Sequence, residues 1–368
     1  MNYTPKQLYD AALELALAIQ DRADIRLFGL IDAKTSANPE YTGVTLLNYS
    51  PECAFKKADD WNIYERVSRG LIVFKGKVLA FPFPKFFNFG DEVKDFAPSD
   101  IQTVMKKEDG SLGIVFLHNG NIHVTTHGSL DSDQGKWATN FARKNKMTLA
   151  PNQTQLTEII YPENRVVTDY GTREELIDLG SYHIIDGKAI YSPPSNTEST
   201  VTSVTDLKKF CSENSDYNVE GFVILLKNGI RVKFKTDAYL AVHRIRFAIS
   251  EKRIQEILIE NETLLEDWKK TLPNEFFKEV DMIAKEIKSV SYKHLVFVQE
   301  VLLDAVNTIP DFLTLDYRQK KSNLAKYFRD HFSNHLHFSL GMTLFDRGPS
   351  DAMNQTLKCY FEFKDLDI

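Results

Sequence analysis

The sequence predicts an α+β protein, with an N-terminal antiparallel-sheet domain followed by an all-helical C-terminal domain. Three observations carry that reading. Apolar residues recur at every second position in most runs before about residue 243, the signature of strands with one buried face. Two Asn-Gly pairs, Asn119-Gly120 and Asn228-Gly229, stand between such runs, where a two-residue hairpin loop favours them. Beyond about Arg244 the spacing becomes helical, which puts the boundary near residues 243 to 252 and gives domains of 1–243 and 244–368. With 368 residues, each domain is long enough to bury a core of its own.

Composition narrows the class before any motif is read. A formal net charge of −6 and a pI near 5.9 argue against a protein that coats nucleic acid through an overall excess of Lys and Arg, and leave room for a local basic groove. Cys53, Cys211 and Cys359 lie far apart, with no Cys-x-x-Cys or Cys/His cluster of zinc spacing, and are read as reduced thiols of a cytosolic protein. No apolar run approaches the ~20 residues that span a bilayer. The opening Met1-Asn2-Tyr3-Thr4-Pro5 lacks the layout of a signal peptide, so the expectation is a cytoplasmic protein without a membrane segment.

The elements follow in order. Thr4 caps a first helix, with Pro5 in its first turn and Leu8, Ala12, Leu15 and Ile19 on one face. Residues 43–49 form a strand rich in Val, Thr, Leu and Tyr. Residues 67–74 carry Arg69 into an apolar strand, and Lys75-Gly76-Lys77 turns the chain back into 78–81. Residues 82–90, dense in Phe and Pro, read as a rigid loop anchored in the core. Residues 112–118 and 121–126 form a hairpin about Asn119-Gly120, with Lys107 just before its first strand. Residues 156–161 make an apolar strand with one acid, Glu158, which taken alone belongs on a solvated face. Residues 192–200 read as a Ser/Thr/Pro-rich loop and 206–211 as a short helix.

The second hairpin occupies residues 219–235. If Asn228-Gly229 is a two-residue loop, Lys227 lies opposite Ile230, Ile224 opposite Lys233 and Phe222 opposite Lys235. Alternation then gathers Glu220, Lys233 and Lys235 on one face and sends Val223, Leu225, Val232 and Phe234 to the core. In the last third, Ile254, Ile257 and Leu258 begin an amphipathic run that continues over 276–287, 295–306 and 322–336, punctuated by Pro273, Pro310 and Gly348-Pro349.

The chemistry centres on Lys107-Glu108-Asp109-Gly110. A lysine is a nucleophile only when its amine is neutral, which the ordinary lysine pKa of ~10.4 makes rare at neutral pH. Nearby positive charge from Lys233, Lys235 and a divalent metal would disfavour the ammonium form of Lys107. The same lysines would neutralise nucleotide phosphates, with Arg69 and Lys85 as further donors. Glu158 and Glu220, turned into the same cleft, would accept from a ribose hydroxyl or hold water on Mg²⁺, which keeps several waters and needs no tight protein cage. Singly, each of these residues is as easily a surface charge; their joint order along the chain is what points to a site.

That order resembles the motif ladder of the covalent nucleotidyltransferases: Arg69-Gly70, Lys85-Phe86-Phe87-Asn88, Lys107-Glu108-Asp109-Gly110-Ser111, Gly128-Ser129, Glu158, Asn164-Arg165, Glu220-Gly221 and Lys233-Phe234-Lys235. More closely it is similar to the ATP-dependent RNA ligase 1 family of bacteriophages, which reseals broken tRNA. The resemblance covers most of the chain, including the helical tail around 318–326 and 338–344. It implies a nucleotidyltransferase domain followed by a helical RNA-specificity domain. It also implies that Lys107 attacks the α-phosphate of ATP to form lysyl-AMP, that AMP passes to an RNA 5′-phosphate, and that a 3′-hydroxyl then displaces AMP.

By matched position, Glu158 would hold the ribose, Arg69, Lys85, Lys233 and Lys235 the phosphates, and Glu158 and Glu220 a metal through water. Phe87, Glu108, Gly110 and His127 complete the nucleotide site, and Tyr239 would serve a later, RNA-directed step. Gly110 would let the backbone approach the nucleotide. The implied cofactors are ATP and Mg²⁺, with Mn²⁺ as an alternative. The implied partner is RNA ends, a nicked tRNA anticodon loop among them, met by a monomer in the host cytoplasm. His127 stands where the family has lysine, which makes its charge conditional on pH. Two other readings are a catalytically silent RNA-end binder, which would have lost the nucleophile or its partners, and an ATP-dependent DNA ligase or cap guanylyltransferase, disfavoured by the helical tail.

Overall fold

Turn chemistry decides how the strands of this protein pair. Asn119 and Gly120 both adopt positive φ, 49° and 77°, so His118 pairs with Asn121 across the expected two-residue turn. The second Asn-Gly pair behaves differently. Only Gly229 is left-handed, at φ 85°; Asn228 Oδ1 instead accepts from Ile230 N at 3.1 Å, and Gly229 N donates to Leu226 O at 2.8 Å. The loop therefore holds three residues, and the register shifts by one from that expected: Ile224 faces Val232, Val223 faces Lys233 and Gly221 faces Lys235. Phe222, Ile224, Leu226, Val232 and Phe234 form the core face, so Val223 and Leu225 do not join it as expected.

The computed structural model describes residues 3–195, 203–272, 276–364 and 366. It divides into two compact units, Met1–His243 and Arg244–Ile368. The first is built on three sheets. One has the order β1 (Ile31–Lys34), β2 (Val44–Tyr49), β3 (Arg69–Phe74) and β4 (Lys77–Ala80). The third comprises β5 (Phe87–Asn88), β6 (Ile101–Lys107), β12 (Gly221–Leu226) and β13 (Arg231–Lys235), in the order β5-β13-β12-β6. The second runs β11-β10-β9-β7-β8, with β7 at Ser111–His118, β8 at Asn121–Thr126, β9 at Gln153–Ile160, β10 at Glu175–Ile185 and β11 at Lys188–Ser192. Among the described residues every pairing is antiparallel except β5 with β13.

Helix α1 (Pro5–Gln20) is capped by Thr4, as the sequence predicts, and Gln7 closes the cap into a reciprocal box. Its Ala12, Leu15 and Ala16 join Leu46, Leu71 and Ile72 of the first sheet and Ile114 and Leu156 of the second in one core. The short α2 (Ile63–Val67) precedes Arg69; α3 (Asp133–Lys144) packs on β7, β8 and β9, and α4 (Val204–Glu213) on the third sheet. The loop expected over 192–200 is irregular at 193–195, and its remainder from 196 lies outside the described residues. Helix α5 (Asp237–Ala248) follows β13.

The second unit is helical: α6 (Glu251–Glu260), α7 (Glu262–Lys269), α8 (Phe277–Thr308), α9 (Tyr317–His331), α10 (His335–Arg347), α11 (Pro349–Lys358) and α12 (Tyr360–Lys364). The apolar runs over 276–287 and 295–306 belong to one 32-residue helix, α8, because no proline or capping residue breaks it. The run over 322–336 is split instead, since Asn334 caps a new helix with its side chain. Pro310 follows α8 and Gly348-Pro349 divides α10 from α11, while Pro273 lies outside the described residues. No helix among the described residues is long and apolar enough to cross a membrane. All three cysteines are free.

Candidate active site

The tetrad 107–110 is the point where the chain passes from the third sheet to the second. Lys107 is the last residue of β6 rather than a residue leading into the hairpin, and Ser111 opens β7. Asp109 anchors the crossing. Its Oδ2 accepts from Val167 N and Thr168 N at 2.8 Å each, and its Oδ1 accepts from the Tyr239 hydroxyl at 2.7 Å. Its backbone N–H donates to the Tyr170 hydroxyl at 2.8 Å, which in turn donates to Glu108 Oε2 at 2.9 Å. A buried carboxylate with three donors is a rigid peg. Tyr239 is itself 1% exposed. Its hydroxyl is thus committed to the tetrad in the ligand-free cleft.

Across the third sheet, Lys107, Gly221 and Lys235 lie side by side on β6, β12 and β13. Having no side chain, Gly221 leaves a gap between two lysines, and the carboxylate of Glu220 fills it. Glu220 Oε2 accepts from Lys107 Nζ at 2.8 Å and Oε1 pairs with Lys235 Nζ at 2.8 Å. Simple alternation would turn Glu220 to the opposite face; Gly221, at φ 143°, breaks the alternation. A Cβ there would lie 2.0 Å from Phe234 O, so no other residue fits without backbone movement.

Glu158 reaches the cleft from β9. Leu156 on the same face lies in the main core, and one pair further on the face opens, so Glu158 is inside the cleft and not on a solvated surface. Its Oε1 accepts from Gly110 N at 2.9 Å. Gly110 is required there because a Cβ would stand 2.5 Å from Ile159 O. Close packing on β9 by itself demands glycine there. Ser111 Oγ donates to Asn164 Oδ1 at 2.9 Å and completes the seam.

Cations dominate the rest of the cleft, a cavity of about 450 Å³ lined among others by Arg69, Phe86, Lys107, Glu158, Lys233 and Lys235. Glu108, Gly110 and His127 line it too. The Arg69 guanidinium lies over the Phe86 ring at 5.7 Å and Lys233 Nζ over the same ring at 5.4 Å. Phe87 does not line the cavity: it packs edge-on against Trp61 at 5.7 Å and under Arg66 at 5.1 Å, so Phe86 takes the place expected of it. Lys85 is held at 5.0 to 5.5 Å over Tyr49, Trp61 and Phe87, and lines a neighbouring cavity that shares Phe86 and Arg231 with the cleft.

Burial and then Lys85, Arg69, Lys107 and Lys235 push Lys233 down to about 7. Lys107 moves the other way. Burial disfavours its ammonium, but Glu220 and Glu158 together outweigh burial and hold its pKa above the ordinary lysine range. The expectation that Lys107 is the lysine depressed by its neighbours therefore fails for the ligand-free cleft: the carboxylates beside it reverse the sign. Burial, with Glu220 adding to it and Lys107 opposing, lifts Glu158 to about 7. Burial and the charges of Arg69, Lys34 and Lys85 push His127 down to about 4, so it is neutral where a lysine would be charged.

These residues fit a metal held through water. Among the described residues, no three His, Cys, Asp or Glu converge as a protein-only cage. Glu220 already has two lysines, whereas Glu158 has one backbone N–H and a pKa that burial raises. Mg²⁺ and Mn²⁺, which keep waters around one or two carboxylates, suit that donor set. Sequence reasoning missed Arg231 and Tyr170. Arg231 stacks on Tyr191 at 4.0 Å and Phe83 at 4.4 Å, and its place two residues before Lys233 was the available signal. Nothing in the sequence around Tyr170 announces its bond to the tetrad, because the two are 61 positions apart.

Residues 67–239 match the family model described as RNA ligase. An RNA ligase of Rhodothermus phage RM378 is 25% identical, over 66% of this chain and 72% of that one. Among solved structures, an RNA ligase of Naegleria gruberi with PPi is similar with a TM-score of 0.31 and 18% identity, over 53% of this chain and 70% of that one. A variant of the Naegleria enzyme with AMP and Mn gives a TM-score of 0.30 and 18% identity, over 44% of this chain and 60% of that one. A putative ATP-dependent DNA ligase from Aquifex aeolicus gives a TM-score of 0.35 and 12% identity, over 94% and 97%.

Proposed function

We propose, on the match of residues 67–239 to the RNA ligase family model, that this chain is an RNA ligase that joins RNA 5′-phosphate and 3′-hydroxyl ends at the expense of ATP. The observation that carries the reading is the carboxylate of Glu220 shared at 2.8 Å by Lys107 and Lys235, in a cleft that also holds Arg69, Lys233 and Glu158. A lone basic cleft would bind phosphate; one lysine pinned by a carboxylate amid other cations is arranged to react with it.

Lys107 Nζ loses a proton and forms a P–N bond to the α-phosphorus while the bond to pyrophosphate breaks. A 5′-phosphate oxygen of RNA then takes the AMP and frees Lys107, and a 3′-hydroxyl attacks that 5′-phosphorus, releasing AMP and closing the phosphodiester. Arg69, Lys85, Lys233 and Lys235 carry the phosphate charge, and Glu158 accepts from the ribose. Mg²⁺ or Mn²⁺ held through water by Glu158 and Glu220 would supply the positive charge that disfavours the Lys107 ammonium. Until then Glu220 holds Lys107 protonated and in place, and it is the acceptor for the departing proton.

The first unit is on this reading the adenylyltransferase domain, and residues 244–368 select the RNA, with a nicked tRNA anticodon loop as substrate. On α9 the exposed Arg318, Lys326 and Arg329 are the candidate contacts. Lys320 is tied to Leu313 O at 3.1 Å and Lys321 to Asp346, which leaves both less free to meet a phosphate.

The test is incubation with Mg²⁺ and ATP labelled at the α-phosphate, beside Lys107→Ala, followed by denaturing electrophoresis. An acid-labile label on the wild type alone is expected. Absence of label on wild type free of bound AMP overturns the reading in favour of a silent end-binding protein. Comparing nicked tRNA with nicked DNA as acceptor then separates RNA from DNA joining.

A further inference from the structure

Arg231 is only 7% exposed, and two of its three guanidinium nitrogens have no hydrogen-bond partner among the described residues. Nη1 donates to the Tyr182 hydroxyl at 3.0 Å, while the Phe83 and Tyr191 rings, centred 4.4 and 4.0 Å from the guanidinium carbon, pack around it and fix its plane. The nitrogens left over, Nε and Nη2, are the side-on pair that binds both oxygens of a phosphate or carboxylate in parallel. A desolvated cation with that pair unmet is costly until an oxyanion completes it.

The fork stands between two cavities. Arg231 and Phe86 line both the cleft of Lys107 and a neighbouring chamber of about 330 Å³, walled among others by Phe81, Tyr182 and Tyr191. Lys85 and the exposed Lys227 line the chamber as well, and the carboxylate there, Glu92, is already held by Arg66 at 2.9 Å. Aromatic walls beside a line of cations are how single-stranded nucleic acid is held, with bases on the rings and phosphates on the charges.

Lys235, Lys233 and Arg231 share the cleft face of β13, in steps of about 7 Å, two rises of a strand. Lys235 is level with Lys107 across the sheet, and Arg231 is the farthest of the three from it. Such steps suit successive phosphates of a nucleic-acid strand, which a ribose separates, and overreach the phosphates of ATP, which share an oxygen. Displacement at phosphorus runs in line. Lys107 therefore expels pyrophosphate from the far side of the α-phosphorus, and a 5′-phosphate must enter from that same side when Lys107 leaves. The next phosphate of the RNA lies one step beyond.

Resting on the ligase reading, we propose that Arg231 binds the phosphodiester between the first and second nucleotides of the 5′-phosphate strand, and that the aromatic chamber beside it receives a nucleotide of that strand.

The experiment takes the full chain adenylylated at Lys107 and measures kcat/KM for AMP transfer to 5′-phosphorylated oligoribonucleotides. Each carries one uncharged methylphosphonate linkage, at the first, second or third position. Neutralising the first linkage is expected to cost about tenfold or more, the worth of a hydrogen bond to a charged group, and the third close to nothing. In Arg231→Met the first-linkage penalty should vanish, because the partner of that phosphate is gone. A wild type indifferent to the first linkage overturns the proposal, whether or not the variant folds. So does a penalty that persists in Arg231→Met, which gives the phosphate to another residue. A loss in Arg231→Met confined to the KM for ATP assigns the fork to pyrophosphate and overturns it too. A wild type that takes no label at Lys107 fails the ligase reading itself and is told apart by that.

Discussion

Two buried polar clusters, one in each unit, show opposite states of completion. In the cleft, cations are crowded: Arg69, Lys107, Lys233 and Lys235 share Glu158 and Glu220, and Arg69 Nη1 and Arg231 Nε and Nη2 are buried without hydrogen-bond partners. In the helical unit, His294 Nδ1 and His337 Nε2 lie 2.8 Å apart, each residue 2% exposed, and the chain of bonds closes at both ends. Asn334 Oδ1 accepts from His337 N, which fixes its amide so that Nδ2 donates to His337 Nδ1 at 2.7 Å. His337 Nε2–H must then donate to His294, whose remaining nitrogen bonds the Phe363 backbone. Every ring nitrogen is paired while both rings are neutral. A charged cluster left incomplete is a site waiting for an anion; a completed neutral one is structure.

The sharpest way to break the cleft is through the backbone that allows it. Gly221→Ala places a Cβ 2.0 Å from Phe234 O at a φ of 143°, and is expected to cost more than about 3 kcal/mol and to abolish labelling of Lys107. Urea midpoints and label transfer measure both; near-wild-type values would show that the lysine-carboxylate bridge does not depend on this turn.

Acid breaks the other cluster. Burial pushes His337 down to about 4, with His294 adding to it, and burial lowers His294 as well. A histidine whose folded pKa lies below its unfolded value of ~6.5 binds more protons when unfolded, so stability is present above 6.5 and lost as the pH falls toward 4. His337 alone accounts for roughly 3 kcal/mol over that window. Phe297, Phe332 and Phe363 surround the pair, and Lys293 is the cation that bears on His294. Hydrogen-exchange protection of α8 and α10 should drop between pH 6.5 and 4; protection that is flat over this range would contradict the bond chain.

Smaller changes refine the contrast. Tyr239→Phe removes one 2.7 Å bond to Asp109 and is expected to slow lysyl-AMP formation about tenfold, as for a hydrogen bond to a charged group. If only the later RNA step slows, Tyr239 acts on RNA after all. The smallest effect is a proton count. With Lys233 near 7 in the free cleft, triphosphate binding should recharge it, and calorimetry in buffers of differing ionisation heat should find uptake of up to about one proton per ATP near pH 8. No uptake would place the phosphates away from Lys233.

Much of this was legible from local chemistry. Thr4 and Pro5 specify a capped helix, and Asn119-Gly120 a two-residue turn, because the interactions that decide them lie within a few residues. The order Arg69, Lys107, Glu158, Glu220, Lys233 and Lys235 pointed to a basic cleft; five of them line one cavity, and Glu220 is buried behind it against Lys107 and Lys235. Where reading failed, the deciding contact came from far along the chain or from a turn with two solutions. Asn228 spent its side chain on Ile230 N, and the hairpin slipped by one residue.

Sequence by itself determined the two-part architecture and the residue types of the cleft, since periodicity and charge order are properties of the chain. Only the tertiary structure decided the sign of the Lys107 shift, the withdrawal of Tyr239 and Phe87 from the cleft, and the need for glycine at 110 and 221. Each depends on what another strand places within about 3 to 6 Å, where desolvation and Coulomb energy change steeply with distance.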